Sequence, residues 1–149
     1  MKKIAIATVI ALAATAASAL ELGVTTARDY AGDNRNATGV TVGQQFGAVG
    51  VTAGFDRATL GTNDQDRYSL VAGYNVARVG PVSVAVKGGA AYLNNQTGAD
   101  GYAALVGVGA SLPVTKAVAL TVDATRQYGQ DRVKASDGNR VAVGLKYSF

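Results

Sequence analysis

The sequence predicts an all-β chain that closes as an eight-stranded antiparallel up-and-down transmembrane β-barrel, apolar outside and polar in its lumen. Three observations carry that prediction. Apolar residues recur on alternate positions along nearly all of residues 20–149, the period of a strand, and helical periodicity is absent. The connections between alternating segments are short and long in turn, as in transmembrane barrels. The face opposite the apolar one carries charges at mid-strand, which a soluble core could not cheaply hold unpaired.

The segments follow in order. Leu20 to Arg28 places Leu20, Leu22, Val24 and Thr26 on one face. Thr38 to Phe46 places Val40, Val42 and Phe46 there, and Val49 to Arg57 places Val49, Val51, Ala53 and Phe55. Arg67 to Ala77 gives Tyr68, Leu70, Ala72, Tyr74 and Val76; Val82 to Tyr92 gives Val82, Val84, Val86, Ala90 and Tyr92. Gly101 to Leu112 gives Tyr102, Ala104, Val106, Val108 and Leu112; Ala117 to Tyr128 gives Val118, Leu120, Val122, Ala124 and Tyr128. Asn139 to Phe149 closes the series with Val141, Val143, Leu145, Tyr147 and Phe149. Segments of this length cross a bilayer when tilted. Short connections follow the second, fourth and sixth segments. The other four are polar and rich in Asn, Asp and Gly, the residues that tolerate turn geometry.

The aromatics fall into two belts, as expected of rings at a membrane interface. Tyr30, Tyr68, Tyr92, Tyr102 and Tyr128 mark the long-connection end; Phe46, Tyr74, Tyr147 and Phe149 mark the short-turn end. Phe55 falls nearer the middle or upper edge.

Residues 1–19 form an export signal. Met1-Lys2-Lys3 is a basic start, Ile4 to Ala16 an apolar run, and Ala17-Ser18-Ala19 the small-x-small site that precedes cleavage. The mature domain is therefore 20–149, with no cysteine for a lipid anchor or a disulfide. Of 14 basic residues Lys2 and Lys3 lie in the signal, so the mature chain exceeds its 10 acidic residues by about two. Unclustered charge of that size does not point to nucleic acid. With no histidine in the chain, Ser/His and Cys/His nucleophile pairs are excluded, and no enzyme is expected. No metal ligand set and no phosphate-cradling glycine loop stands out, so neither metal nor cofactor is expected. Thr62 to Asp66 is acidic but lacks the spacing of a calcium loop.

The signal, the eight segments, the alternation of turns and the terminal Tyr147-Ser148-Phe149 together resemble the small eight-stranded outer-membrane barrels of the OmpA transmembrane-domain and OmpX type. The resemblance covers Leu20 to Phe149. It implies the outer membrane of a Gram-negative cell, with both termini periplasmic and the long connections outside. It implies that the final strand, Val141, Val143, Leu145, Tyr147 and Phe149, is read by the barrel-assembly machinery. The role implied is structural, envelope-integrity or surface-interacting, through loops that could meet an extracellular ligand. The alternative is a narrow porin-like pore.

Seven charges are assigned to the lumen: Glu21, Asp56, Arg67, Lys87, Asp123, Arg140 and Lys146. Asp56 with Arg67, Glu21 with Lys146, and Lys87 with Asp123 are the expected pairs, with Arg140 above the last. An eight-strand barrel is just wide enough for side chains to fill it. Nine inward glycines nevertheless leave room for water pockets or a narrow ion path. Arg28 and Arg126 fall on the outer register near the long connections, where lipopolysaccharide phosphates would be their partners.

Overall fold

The computed structural model describes residues 20–30, 34–60, 63–95, 100–130 and 137–149; the stretch 1–19 read above as an export signal and the centres of the four long connections lie outside them. Eight strands follow in order: β1 (Leu20–Asp29), β2 (Arg35–Phe46), β3 (Val49–Leu60), β4 (Asn63–Val79), β5 (Val82–Asn95), β6 (Gly101–Pro113), β7 (Val118–Gly129) and β8 (Gly138–Ser148). Each pairs antiparallel with the next, and β8 returns to β1, so the sheet closes as a barrel. Closure removes the free sheet edge and gives every strand two partners. At the seam Glu21 faces Ser148 and Asp29 faces Arg140, and the Phe149 N–H donates to the Leu20 carbonyl at 3.0 Å.

The two-residue alternation sorts side chains as the sequence predicts. Leu22, Val24, Val40, Leu70, Val106, Val122, Val143 and Leu145 stand exposed on the outer wall. On the same wall Phe55, Tyr68, Tyr92 and Tyr102 face one another across β3, β4, β5 and β6. Their rings touch, with centroids 5.1 Å apart for Phe55 and Tyr68 and 5.2 Å for Tyr92 and Tyr102. Phe55 thus belongs to the long-connection belt. Tyr147 and Phe149 make the corresponding pair at the other end, at 4.8 Å.

The short turns use residues suited to them. Gly47 and Gly80 take positive φ values of 61° and 58°, open to glycine without steric cost, at the first loop position of two tight hairpins. The turn after β6 is closed by Thr115, whose hydroxyl accepts from the N–H groups of Ala117 and Val118.

The strands run further than the sequence predicts at the long-connection end. β3 continues to Leu60 and β4 begins at Asn63, so most of the stretch read as a polar connection is ladder. Asp64, Gln65 and Asp66 are strand residues, and among the described residues no acidic cluster could hold a metal. The extension has a physical reason. Backbone pairing continues wherever water or a cross-strand partner satisfies the side chains. Here Arg57 bridges Asp66 at 2.6 Å, and Gln65 donates to Asn95 at 2.6 Å. A register shift between Asn75 and Ala77 bends β4 near its lower end, yet Val76 remains outward and exposed.

Candidate functional site in the lumen

The inward register gathers all seven predicted charges, with an eighth beside them. Alternation along β1 carries Glu21, Gly23, Thr25, Ala27 and then Asp29 to the inside. Asp29 accepts from Arg140 at 3.1 Å. The Arg140 guanidinium also reaches Asp56 at 3.1 Å, and Asp56 pairs with Arg67 at 3.0 Å. Asp29, Arg140, Asp56 and Arg67 therefore form one chain of alternating charge that ties β1, β8, β3 and β4 together. Arg140 belongs to this cluster and not to the pair below it. Lys87 and Asp123 bridge β5 and β7 at mid-height. Glu21 and Lys146 pair at 2.6 Å near the short-turn end. Four carboxylates meet four cations, and no buried side-chain polar atom among the described residues lacks a hydrogen-bond partner. That pairing is what lets charge sit inside a barrel wall.

Water access differs along the axis. The Arg140, Asp56 and Arg67 side chains are 6%, 7% and 11% exposed, and Lys87, Asp123 and Lys146 are 26%, 24% and 28%, with Asp29 of the upper cluster at 19% and Glu21 of the lower pair at 16% between them. Buried apolar residues form a band at this level of the lumen. Ala27, Ala37 and Ala58 pack together with Ala142 against them on one side. Leu93 packs on Ala103 on the other, and Leu105 lies buried beside them. Gln65 and Gln127 are buried on β4 and β7, so each strand contributes at least one buried inward residue to this region. Leu93 and Leu105 occupy inward positions that the sequence predicts to be small or polar. Below them lies a cavity of about 190 Å³ lined by hydroxyls such as Thr41, Thr52, Ser69 and Thr121, with Lys87 and Asp123 on its wall.

The inward glycines do less to widen the lumen than their number suggests. A Cβ on Gly109 would run into the Asp123 carboxylate and the Lys87 chain end, because the Lys87–Asp123 bridge crosses β6 at that residue. Gly109 is therefore the floor over which the bridge passes. Gly109→Ala is expected to push the two charged ends apart and lower unfolding stability by about 1–3 kcal/mol. Gly73→Ala is the control, since its Cβ would meet nothing closer than 3.6 Å. Equal urea midpoints for the two variants would contradict this account.

No family model and no curated protein matches the sequence. Solved structures do. The N-terminal β-barrel domain of Pseudomonas aeruginosa OprF superposes with a TM-score of 0.71 at 17% identity, covering 88% of this chain and 97% of that domain. Neisserial surface protein A gives 0.68 at 15% identity, covering 90% and 98% of the two chains. A major outer membrane protein of Thermus thermophilus gives 0.66 at 14%, covering 90% and 100%.

The chain has the fold of the small outer-membrane barrels. At these identities the likeness extends to architecture alone, and the lumen must be argued from its own residues. The remaining predicted positions lie on the outer wall. Arg28 and Arg126 stand near the long connections, each guanidinium over a tyrosine two residues on. Val141, Val143, Leu145 and Tyr147 line the outer side of the closing strand, and Phe149 follows its last residue.

Proposed function

We propose that the protein is an integral outer-membrane β-barrel of a Gram-negative cell, structural or surface-interacting, whose lumen does not pass solutes. The exposed Val and Leu wall, the paired aromatic belts and the architecture shared with outer-membrane barrels support the location. On this reading the termini face the periplasm, the long connections face outward, and the assembly machinery engages the closing strand. No catalytic role is proposed.

The buried band carries the functional half of the reading. Leu93, Leu105 and the Asp29–Arg140–Asp56–Arg67 chain crowd the lumen near the long-connection end, and the buried leucines with the Arg140, Asp56 and Arg67 side chains there support a closed lumen. The test is conductance of the refolded protein in a planar bilayer. A silent bilayer at up to ~100 mV is expected. Stable discrete openings would overturn the closed-lumen reading in favour of a narrow pore. The cavity beneath the band is the observation that favours that second reading, since a pore would need only the upper cluster to rearrange.

A further inference from the structure

We propose that the outer face over β7, β8 and β1 is a clamp for a glycolipid head bearing two phosphates, the head group of lipid A, gripped by Arg28 and Arg126. The proposal rests on the outer-membrane reading above and names a partner for one face of it.

The upper belt is not uniform around the barrel. Over β3 to β6 it is the uncharged row of Phe55, Tyr68, Tyr92 and Tyr102. Over β7 and β1 it becomes an Arg-x-Tyr unit used twice, Arg126-Gln127-Tyr128 and Arg28-Asp29-Tyr30. Among the described residues three arginines share the outward register at this end, and one of them is neutralised: Arg57 holds Asp66 at 2.6 Å. Neither Arg28 nor Arg126 has a carboxylate partner among the described residues. Arg28 lies over the Tyr30 ring at 5.7 Å; Arg126 lies over Tyr128 at 5.3 Å and donates to the neutral Asn139 side chain at 3.3 Å. Asp29, the acid next to Arg28, points into the lumen and is taken by Arg140.

The two cations flank the same strand. Arg28 sits opposite Val141 on one side of β8 and Arg126 opposite Asn139 on the other. Two strand spacings and a two-residue offset put their Cα atoms roughly 12 Å apart. Each side chain leans toward a tyrosine further along its own strand, and β1 and β7 run in the same direction. The guanidinium groups therefore stay apart while stacked, a geometry suited to two phosphates held apart by a sugar scaffold. Guanidinium forks bind phosphate in bidentate fashion, and ring stacking holds the fork before the ligand arrives. An apolar wall below, from Val24, Val122 and Val143, is left for acyl chains.

The test uses the refolded full barrel in phosphatidylcholine nanodiscs, titrated with bisphosphorylated lipid A, monophosphorylated lipid A or phosphatidylglycerol, with bound lipid read by native mass spectrometry. Bisphosphorylated lipid A is expected to bind tightest. Arg28→Gln and Arg126→Gln should each weaken it about tenfold, and together about a hundredfold. Arg57→Gln should leave it unchanged. Circular dichroism of each variant checks that the barrel is intact. Equal binding of phosphatidylglycerol, retention of lipid A by the double variant, or an equal loss with Arg57→Gln overturns the clamp. A barrel that enters bilayers but ignores lipid A sinks the clamp alone; one that fails to enter them sinks the membrane reading with it.

Discussion

Arg140→Ala is expected to lower the stability of the folded barrel by about 3–5 kcal/mol, because removing one member of a buried ion cluster leaves its partners charged and unpaired. Arg140 holds two carboxylates at once, Asp29 and Asp56, each at 3.1 Å. Without it the cluster of two acids and two bases becomes one base against two acids. Arg67 still holds Asp56 at 3.0 Å, so Asp29 is the acid that loses the cation bonded to it. Asp29→Asn in the Arg140→Ala background should therefore recover part of the loss. The reference is Arg57→Ala on the outer wall, which removes an exposed ion pair and should shift the unfolding midpoint far less. The chain has no tryptophan, so urea unfolding is best followed by circular dichroism and by gel mobility of the folded form. If Arg140→Ala and Arg57→Ala shift the midpoint equally, the inner cluster is solvated and contributes no more than the outer pair.

The architecture was legible because one period decides it. Alternation of Val, Leu and Tyr with Gly, Thr and charge fixes which face each residue takes, and a one-residue slip would reverse the whole strand. The same rule placed Glu21, Asp56, Arg67, Lys87, Asp123, Arg140 and Lys146 inside without reference to any partner. What escaped lay where polarity and periodicity disagree. Asp29 stands one step beyond the last outward residue of β1, in a stretch whose Asn, Asp and Gly read as turn. Carrying the alternation one residue further would have found it, and with it the second acid on Arg140. Asp64 to Asp66 escaped for the same reason: their side chains are those of a loop, but their backbone is in the ladder. Leu93 and Leu105 escaped for the opposite reason. They stand next to outward Tyr92 and Ala104 in apolar runs, where alternation carries no contrast between the faces.

Those two leucines reverse the usual sense of burial. Among the described residues most large apolar side chains face outward, and the fully buried large one lies in the lumen: Leu93 is 0% exposed, while Leu70 on the outer wall is 55% exposed. Leu93→Ala removes methyl and methylene groups from a site walled by Ala103, which is too small to refill it, and by Arg67 opposite on β4, which its ion pair with Asp56 holds in place. The expected cost is about 2–5 kcal/mol. Leu70→Ala exchanges one apolar surface facing lipid for a smaller one, with no cavity, and should cost well under half as much. A soluble β-sandwich would rank outward and inward leucines in the same order, so stability alone is not decisive. Conductance is the sharper readout. Leu93→Ala opens space beside Arg67, which with Asp56 lines the 190 Å³ cavity. Combined with Leu105→Ala it should give intermittent openings in a planar bilayer where the parent barrel is silent, whereas Leu70→Ala should not. A double variant that folds and stays silent would mean that the charge chain closes the lumen without the leucines.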